Sequence, residues 1–392
     1  MLITVFWILA IIIVYTYFGY AFLLLILNGL KRILGMKKSL PSDAVLPETT
    51  ILIAAYNECA VIDRKMQNTL AIDYPKELLT IMWITDGSDD GTPELLRKKY
   101  PSVEVLHQDK RRGKTAALNR AMNFIKTPFA VLCDANTMLD PGAVRKLLAP
   151  FSDERIGCVA GEKRIIQNAY DGPAGAGEGA YWQYESIIKK LESDFHTALA
   201  AAGELYAIRT SLFSRADEDS IIDDFVISLT IARKGYRIRY VPEAFAMEAP
   251  SANIREELKR KIRIASGGIQ TLLRFPGLLN IFRYGFLSFE YISHKVLRWL
   301  VVPFTIPLIL LANLLICMQQ QWQLTLYFYI FLLQCAFYLL VVLGFIFEKR
   351  TTRWRFLFLP YYIIIMNYSQ IAGLIRYFRK KHTVVWEKAQ RA

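Results

Sequence analysis

Apolar residues occur along this chain in runs of two lengths. Four runs are long, covering residues 1–30, 297–316, 324–347 and 356–378. The first holds no charged side chain, and at about 1.5 Å rise per residue a helix of that length spans a bilayer with tilt to spare. It does not read as a cleaved signal peptide: no basic segment precedes it, it is too long, and no small-residue cleavage site follows. Lys31, Arg32, Lys37 and Lys38 follow instead. The positive-inside tendency therefore predicts an anchor helix whose C-terminal end lies in the cytoplasm.

The short runs lie between these, at residues 50–55, 79–85, 103–107 and 129–133, with helical stretches near 118–125 and 143–148. Strands alternating with helices predict an α/β domain built on a mainly parallel sheet covered on both faces. A Gly- and Ala-rich stretch at 171–179 predicts a flexible loop before a helix at 180–193. The expected organisation is an anchor over 1–38, an α/β domain over 39–250, interfacial helices over 251–295, a membrane bundle over 296–380 and a basic tail over 381–392.

Polar clusters follow three of the strands. Ala55 leads into Tyr56-Asn57-Glu58, Thr85 into Asp86-Gly87-Ser88-Asp89-Asp90-Gly91, and Cys133 into Asp134-Ala135-Asn136. Asp and Gly favour turns anywhere, but three clusters at the carboxyl ends of successive strands predict a shared ligand site at that edge of the sheet.

The chain has 392 residues and a formal net charge of +13. Its basic residues gather beside apolar runs (Arg350, Arg353 and Arg355; Arg376, Arg379, Lys380 and Lys381). Lipid headgroups account for that placement, so no nucleic-acid partner is expected. The five cysteines and four histidines show no paired or metal-type spacing.

The residues of the three clusters suit a nucleoside diphosphate and its cation. Gly87 and Gly91 permit a tight turn and close backbone approach, and the Asp86 carboxylate can accept hydrogen bonds from a base or ribose. Lys110, Arg111, Arg112 and Lys114 surround Gly113 at the start of a helical run, a placement suited to phosphate; a solvated basic loop is the simpler alternative. Asp134 and Asn136 offer oxygen to a hard divalent cation, Mg²⁺ or Mn²⁺. Asp223 and Asp224, adjacent carboxylates among apolar neighbours, suit a general base or, more simply, a helix cap.

These motifs, in this order, resemble the membrane-bound family 2 glycosyltransferases of the GT-A fold, the group of cellulose, chitin, hyaluronan and poly-N-acetylglucosamine synthases. The resemblance runs from about Glu48 to Gly268. Ala54-Ala55-Tyr56-Asn57-Glu58 is similar to the first-strand motif, Asp86 to Gly91 to the nucleotide-binding loop, and Arg112-Gly113-Lys114 through Asn119 to the basic segment. Asp134-Ala135-Asn136 stands where the metal-binding D-x-D lies, and Asp223-Asp224 where the Glu-Asp pair supplies the base. Tyr181-Trp182 and Gly203-Glu204 resemble acceptor-side segments. The resemblance implies a Rossmann-like catalytic domain in the cytoplasm and an integral membrane protein of bacterial plasma-membrane type. It further implies inverting transfer from a UDP-sugar, with Asp224 as base, a divalent cation as cofactor, and a glycan or lipid-linked acceptor. Accessory subunits of an export complex are a further partner class it suggests.

Two departures from the pattern bear on function. Asn136 replaces the second Asp of D-x-D, keeping an oxygen but losing a charge. The Q-x-x-R-W stretch becomes Arg260-Lys261-Ile262-Arg263-Ile264. This keeps the Arg expected to reach the pyrophosphate but puts Ile264 where an aromatic face would pack on the acceptor sugar. Three readings stay open: a polysaccharide synthase, a transferase adding one or a few sugars to a lipid-linked acceptor, and a non-catalytic subunit. The topology also holds a conflict, because three C-terminal spans would place Arg379-Lys380-Lys381 outside.

Overall fold

The polar clusters read from the sequence all end strands of one sheet. The computed structural model of the protein describes residues 1–35, 46–166, 173–249, 254–347 and 358–379. The chain separates into two compact units. One comprises Asn28–Ile166 and Glu185–Pro250, the other Met1–Leu27, Gln167–Tyr184 and Ser251–Lys381.

The first unit holds an eight-stranded sheet. Its strands are β1 (Thr49–Ala55), β2 (Leu79–Asp86), β3 (Glu104–Gln108), β4 (Phe129–Asp134), β5 (Met138–Leu139), β6 (Ile156–Ile165), β7 (Leu205–Arg209) and β8 (Arg237–Glu248). They lie in the order β3-β2-β1-β4-β7-β6-β8-β5. The four expected strands form the parallel half, β3-β2-β1-β4. The other half is mixed: β7 runs antiparallel to both neighbours, and β6 pairs with β8 in parallel. Every position of β1 is buried, which fits its near-continuous apolar sequence in a strand covered on both faces. One face packs Ile51, Ile53, Trp83, Val131 and Leu147 into a common core.

The helix expected near 118–125 runs from Lys114 to Ala121. Pro128 opens the approach to β4 and disfavours helix in the residue before it. The loop expected at 171–179 is replaced, from Pro173 onward, by the first turns of the helix Pro173–Phe195; Asp171 and Gly172 lie outside the described residues. Pro is well accepted at a first helical position, and the apolar turns beyond Ala180 carry the helix back through the small residues.

Among the described residues, three helices are long and apolar enough to cross a membrane: Leu2–Ile33, Phe286–Gln319 and Leu326–Phe347. The helix Phe358–Phe378 is not one of them. Asn367, Ser369 and Gln370 interrupt its apolar composition, and it packs along the helix Ile254–Arg274. A Cβ on Gly373 would lie 2.6 Å from Ala265 Cβ and 2.8 Å from the Ser266 nitrogen, so only glycine allows this approach. Lys37, Lys38, Arg350, Arg353, Arg355, Lys380 and Lys381 lie outside the described residues.

Candidate active site

The sheet register brings the site together. Ala55 pairs with Thr85 and Ala54 with Asp134, so the carboxyl ends of β1, β2 and β4 lie level. Because β7 is antiparallel to β4, its amino end, at Leu205 opposite Cys133, reaches the same edge and carries Gly203 and Glu204 with it. The β6–β8 pairing, with Ile165 opposite Glu248, brings Lys163 and Glu248 there as well.

On the β1–β2 side, two loops are tied together. Asn57 exchanges hydrogen bonds with Asp89, donating from Nδ2 at 2.7 Å and accepting from the Asp89 N–H at 3.0 Å. The Glu58 N–H donates to Thr92 Oγ1 at 3.0 Å. Asp86 is buried, and its Oδ2 accepts from the backbone N–H groups of Arg112 (2.9 Å) and Gly113 (2.6 Å). Asp86 therefore secures the basic loop from the strand side. The approach is close: Gly87 has φ +69°, and a Cβ there would lie 2.6 Å from Arg111 Cβ. The Arg111 guanidinium stacks on the Tyr56 ring, 3.4 Å from its centroid, forming a flat cationic surface beside the loop.

At the centre lies Lys114, the first residue of its helix. Its Nζ donates to Asp134 Oδ1 at 2.6 Å and lies 3.7 Å from Asp223 Oδ2. Burial alone would lower the Lys114 pKa, but the charges of Asp134, Asp223 and Asp224 outweigh it and hold the ammonium above its ordinary value. Asp134 is shifted upward, by desolvation first and then by Glu204 and Asp223, against the pull of Lys114. Asp223 and Asp224 open the helix Asp223–Arg233. Asp223 is buried and Asp224 is half-buried. Desolvation, followed by the neighbouring Asp223 charge, pushes Asp224 up to about 7. A narrow cleft lined by Ala54, Lys114, Gly203, Tyr206 and Asp223 lies among these groups. The Tyr206 hydroxyl is buried without a hydrogen-bond partner among the described residues.

Asp134, Asp223, Asp224 and Glu204 outnumber the cations among them, and desolvation already penalises the charge on Asp134 and Asp224. Such a site favours a further cation. Asp134 and Asn136 are hard oxygen donors of the kind Mg²⁺ and Mn²⁺ take, one or two from protein with phosphate and water completing the shell. Among the described residues no group of three His, Cys, Asp or Glu is placed to cage a metal. The residues fit an ion that arrives with a diphosphate.

Behind Asn136 lies a buried ionic group. Lys163 Nζ donates to Glu204 Oε1 at 2.8 Å and pairs closely with Glu248 Oε2. Glu248 Oε1 in turn accepts from Asn136 Nδ2 at 3.2 Å. Sequence reasoning missed Lys163, Glu248 and Tyr206. Glu248 follows the apolar end of β8, so the pattern that found Asp134 applies to it too. Lys163 carries no such signal, because only the crossed strand order brings β6 beside β7 and β8.

The remaining predicted residues belong to the other unit. Arg260 forms a two-point pair with Glu257, Nε to Oε2 at 2.9 Å and Nη2 to Oε1 at 3.0 Å. Lys261 lies 5.4 Å from the centroid of the Trp182 ring. Arg263 and Ile264 are half-buried on the helix Ile254–Arg274. Tyr181 lies on the helix of Trp182, with its side chain outside the described positions.

Residues 47–267, more than half of the chain, match the family described as glycosyltransferase like family 2. A poly-β-1,6-N-acetyl-D-glucosamine synthase of Staphylococcus aureus (strain COL) is 30% identical over 236 residues, which cover 57% of this chain and 55% of the relative. The same enzyme of Staphylococcus epidermidis is 26% identical over 280 residues, covering 68% of this chain and 66% of the relative. The chain thus matches only about half to two thirds of the length of these curated relatives. Among solved structures, a mannosyltransferase from Pyrobaculum calidifontis, in complex with GDP-Man and Mn²⁺, superposes with a TM-score of 0.68 at 22% identity. That match covers 97% of this chain and 100% of the other, and it supports the GT-A-like fold. The chain belongs to the family 2 glycosyltransferases.

Proposed function

We propose that this protein transfers a sugar, with inversion, from a UDP-sugar to a hydroxyl of a glycan or lipid-linked acceptor at the membrane, using a divalent cation. The observation that carries the reading is Asp224: a half-buried carboxyl pushed up to about 7 by desolvation and Asp223, at the sheet edge that also holds Asp86, Lys114 and Asp134. A base whose pKa lies near the working pH both exists in its active form and takes up a proton readily. Asp224 removes the acceptor hydroxyl proton. The oxygen then forms its bond to the anomeric carbon as the bond to the diphosphate breaks on the opposite face. Lys114 lies where charge grows on the departing diphosphate, and positive groups placed for that charge are a large source of rate. A cation held by Asp134 and Asn136 would supply Lewis-acid stabilisation of the same diphosphate. Ala55, Tyr56, Glu58 and Asp86 form the nucleotide side. By resemblance, Arg263 serves the pyrophosphate, while Gly203, Glu204, Tyr181, Trp182, Arg260 and Ile264 serve the acceptor.

The S. aureus and S. epidermidis relatives support N-acetylglucosamine as the donor sugar, and the Pyrobaculum structure supports a nucleotide-sugar with Mn²⁺. The test is incubation of the full chain in lipid nanodiscs with labelled UDP-GlcNAc, UDP-Glc, UDP-Gal and GDP-Man. Release of UDP with labelled product is expected. Release of no nucleoside diphosphate from any donor would favour the non-catalytic reading. Ile264, where an aromatic face is expected, and Arg260, engaged by Glu257, favour short addition over long-chain synthesis as the second reading.

The three apolar helices support the membrane assignment. With the anchor entering from outside, Phe286–Gln319 crosses outward and Leu326–Phe347 returns. The helix Phe358–Phe378 packs on both Ile254–Arg274 and Leu326–Phe347, and its Asn367 amide donates to the Tyr17 hydroxyl of the anchor at 2.9 Å. The positive-inside tendency favours the cytoplasmic side for the basic residues at 350–355 and 379–381. Single cysteines at Gln321 and Lys381 should label from outside and inside respectively; outside labelling of position 381 would make Phe358–Phe378 a span.

A further inference from the structure

We infer that the buried Lys163–Glu248 pair is a positioning device, turning the Asn136 amide so that its oxygen, not its nitrogen, is left for the cation. The inference rests on the metal-dependent reading above. An asparagine differs from an aspartate in having two unlike ends: a cation accepts the amide oxygen and is repelled by the amide NH₂. At a metal position this is an orientational problem, and something must settle it.

The structure supplies that element. Lys163 is fully buried, and its ammonium is shared between two carboxylates from different segments, Glu204 before β7 and Glu248 at the end of β8. Charge balance alone would be met by one of them. With one oxygen of Glu248 held on Lys163, the other accepts from Asn136 Nδ2. An ionised carboxylate can only accept, so Asn136 must offer its nitrogen to Glu248. The amide oxygen, on the opposite branch of the planar group, is then committed to the other side. Lys163 acts one step further back: its ion pair fixes the Glu248 carboxylate in place, in a buried position where an unpaired charge is strongly disfavoured. Groups that orient metal ligands in this way typically carry roughly 10–100-fold of metal affinity.

The test reads Mn²⁺ affinity directly, by the loss of free Mn²⁺ signal in electron paramagnetic resonance, on the full chain in detergent with UDP present. Glu248→Gln can either donate or accept, so it frees the Asn136 amide to turn. Affinity should fall roughly tenfold while Lys163 keeps Glu204. Asn136→Asp alone should give no gain, although it adds a charge, because the new carboxylate faces Glu248 without an N–H to donate. When Glu248→Gln and Asn136→Asp are combined, the new amide donates to the new carboxylate, both of whose ends are oxygen. Affinity should then return to the wild-type value or exceed it. Unchanged affinity in Glu248→Gln, or a tenfold gain in Asn136→Asp alone, would overturn the inference. Asn136 is only half-buried and its substitution leaves the ion pair intact, so that variant decides the matter even should Glu248→Gln fail to fold. Absence of UDP-dependent Mn²⁺ binding by the unsubstituted chain would overturn the metal-dependent reading first, and this inference with it.

Discussion

Lys114 Nζ lies 2.6 Å from Asp134 Oδ1, so the same carboxylate serves the helix proposed to face the phosphates and the position proposed for the cation. The two positive groups compete for Asp134 but cooperate on a diphosphate. Lys114→Met should therefore split in sign. Mn²⁺ alone should bind more tightly, because a competitor has gone, while UDP affinity in Mn²⁺ should fall, on the order of tenfold for one charge-assisted contact of about 1.5–3 kcal/mol. Calorimetry with Mn²⁺, then with UDP in saturating Mn²⁺, separates the two. Weaker binding of both would mean that Lys114 supports the site only structurally.

Asp224 is expected to govern the pH dependence of transfer. The base acts when ionised, so kcat should rise as pH increases through about 7 and level off above it. Asp224→Asn should remove transfer and leave UDP affinity nearly unchanged. Its stability effect has a defined sign. The folded state holds this carboxyl above its ordinary 3.8, so ionisation is disfavoured in the fold, and stability is lost as pH climbs from about 4 through about 7. Asp224→Asn should consequently raise the melting temperature at pH 8 more than at pH 4.5. An equal change at both pH values would show that its ionisation does not oppose the fold.

Gly87 and Gly235 make a matched pair of controls. Both have positive φ, +69° and +94°, but a Cβ on Gly87 meets Arg111 at 2.6 Å, whereas one on Gly235 meets nothing within 4 Å. Alanine at either position incurs backbone strain of roughly 1 kcal/mol. Only Gly87→Ala also displaces the loop whose Arg112 and Gly113 N–H groups hold Asp86. Nucleotide affinity should fall about tenfold or more in Gly87→Ala and stay within about twofold in Gly235→Ala. Equal affinities in a calorimetric titration would separate the basic loop from nucleotide binding.

The legible part of this protein was what lies close along the chain. Asp86 and Asp134 each follow an apolar strand, and periodicity found those strands to within a residue or two. The parallel half of the sheet follows from such units, since each strand needs a crossover before the next. The mixed half was not legible, because pairing β7 antiparallel between β4 and β6 is set by long-range contacts that leave no local pattern. Lys163 was lost for the same reason: its partners are 41 and 85 residues away. The helix Phe358–Phe378 falls on the apolar run 356–378, whose crossing of the membrane the charge pattern left open. Its fit against Ala265 and Ser266, through Gly373, is a packing relation that hydropathy does not register.

That packing should be sensitive to size. Gly373→Leu places a branched side chain where even a Cβ would lie 2.6 Å from Ala265. Overpacking of this kind costs typically about 1–3 kcal/mol, and here one face of the contact is helix backbone, which yields little. The melting temperature of the detergent-purified chain should drop, whereas Gly277→Ala, with open space around it, should leave it unchanged. A Gly373→Leu variant as stable as the parent would mean that the two helices are not held together.

Ile264 is where product length is expected to be decided. Sugar rings present C–H faces that pack on an indole, and the resemblance puts Trp at this position in chain-extending members. Ile264 supplies bulk without an aromatic face, so the acceptor should leave soon after each addition. Ile264→Trp should then lengthen the product or slow acceptor release. The side chain is half-buried on the helix Ile254–Arg274, which leaves part of a larger residue room to emerge. Should Ile264 serve only to pack its own unit, Trp would act as an overlarge core residue and cost roughly 1–3 kcal/mol. A gel of labelled products run beside a melting curve separates the two. Longer products at unchanged melting temperature place residue 264 at the acceptor. Unchanged product lengths with a lowered melting temperature assign it to packing and remove the argument for short addition.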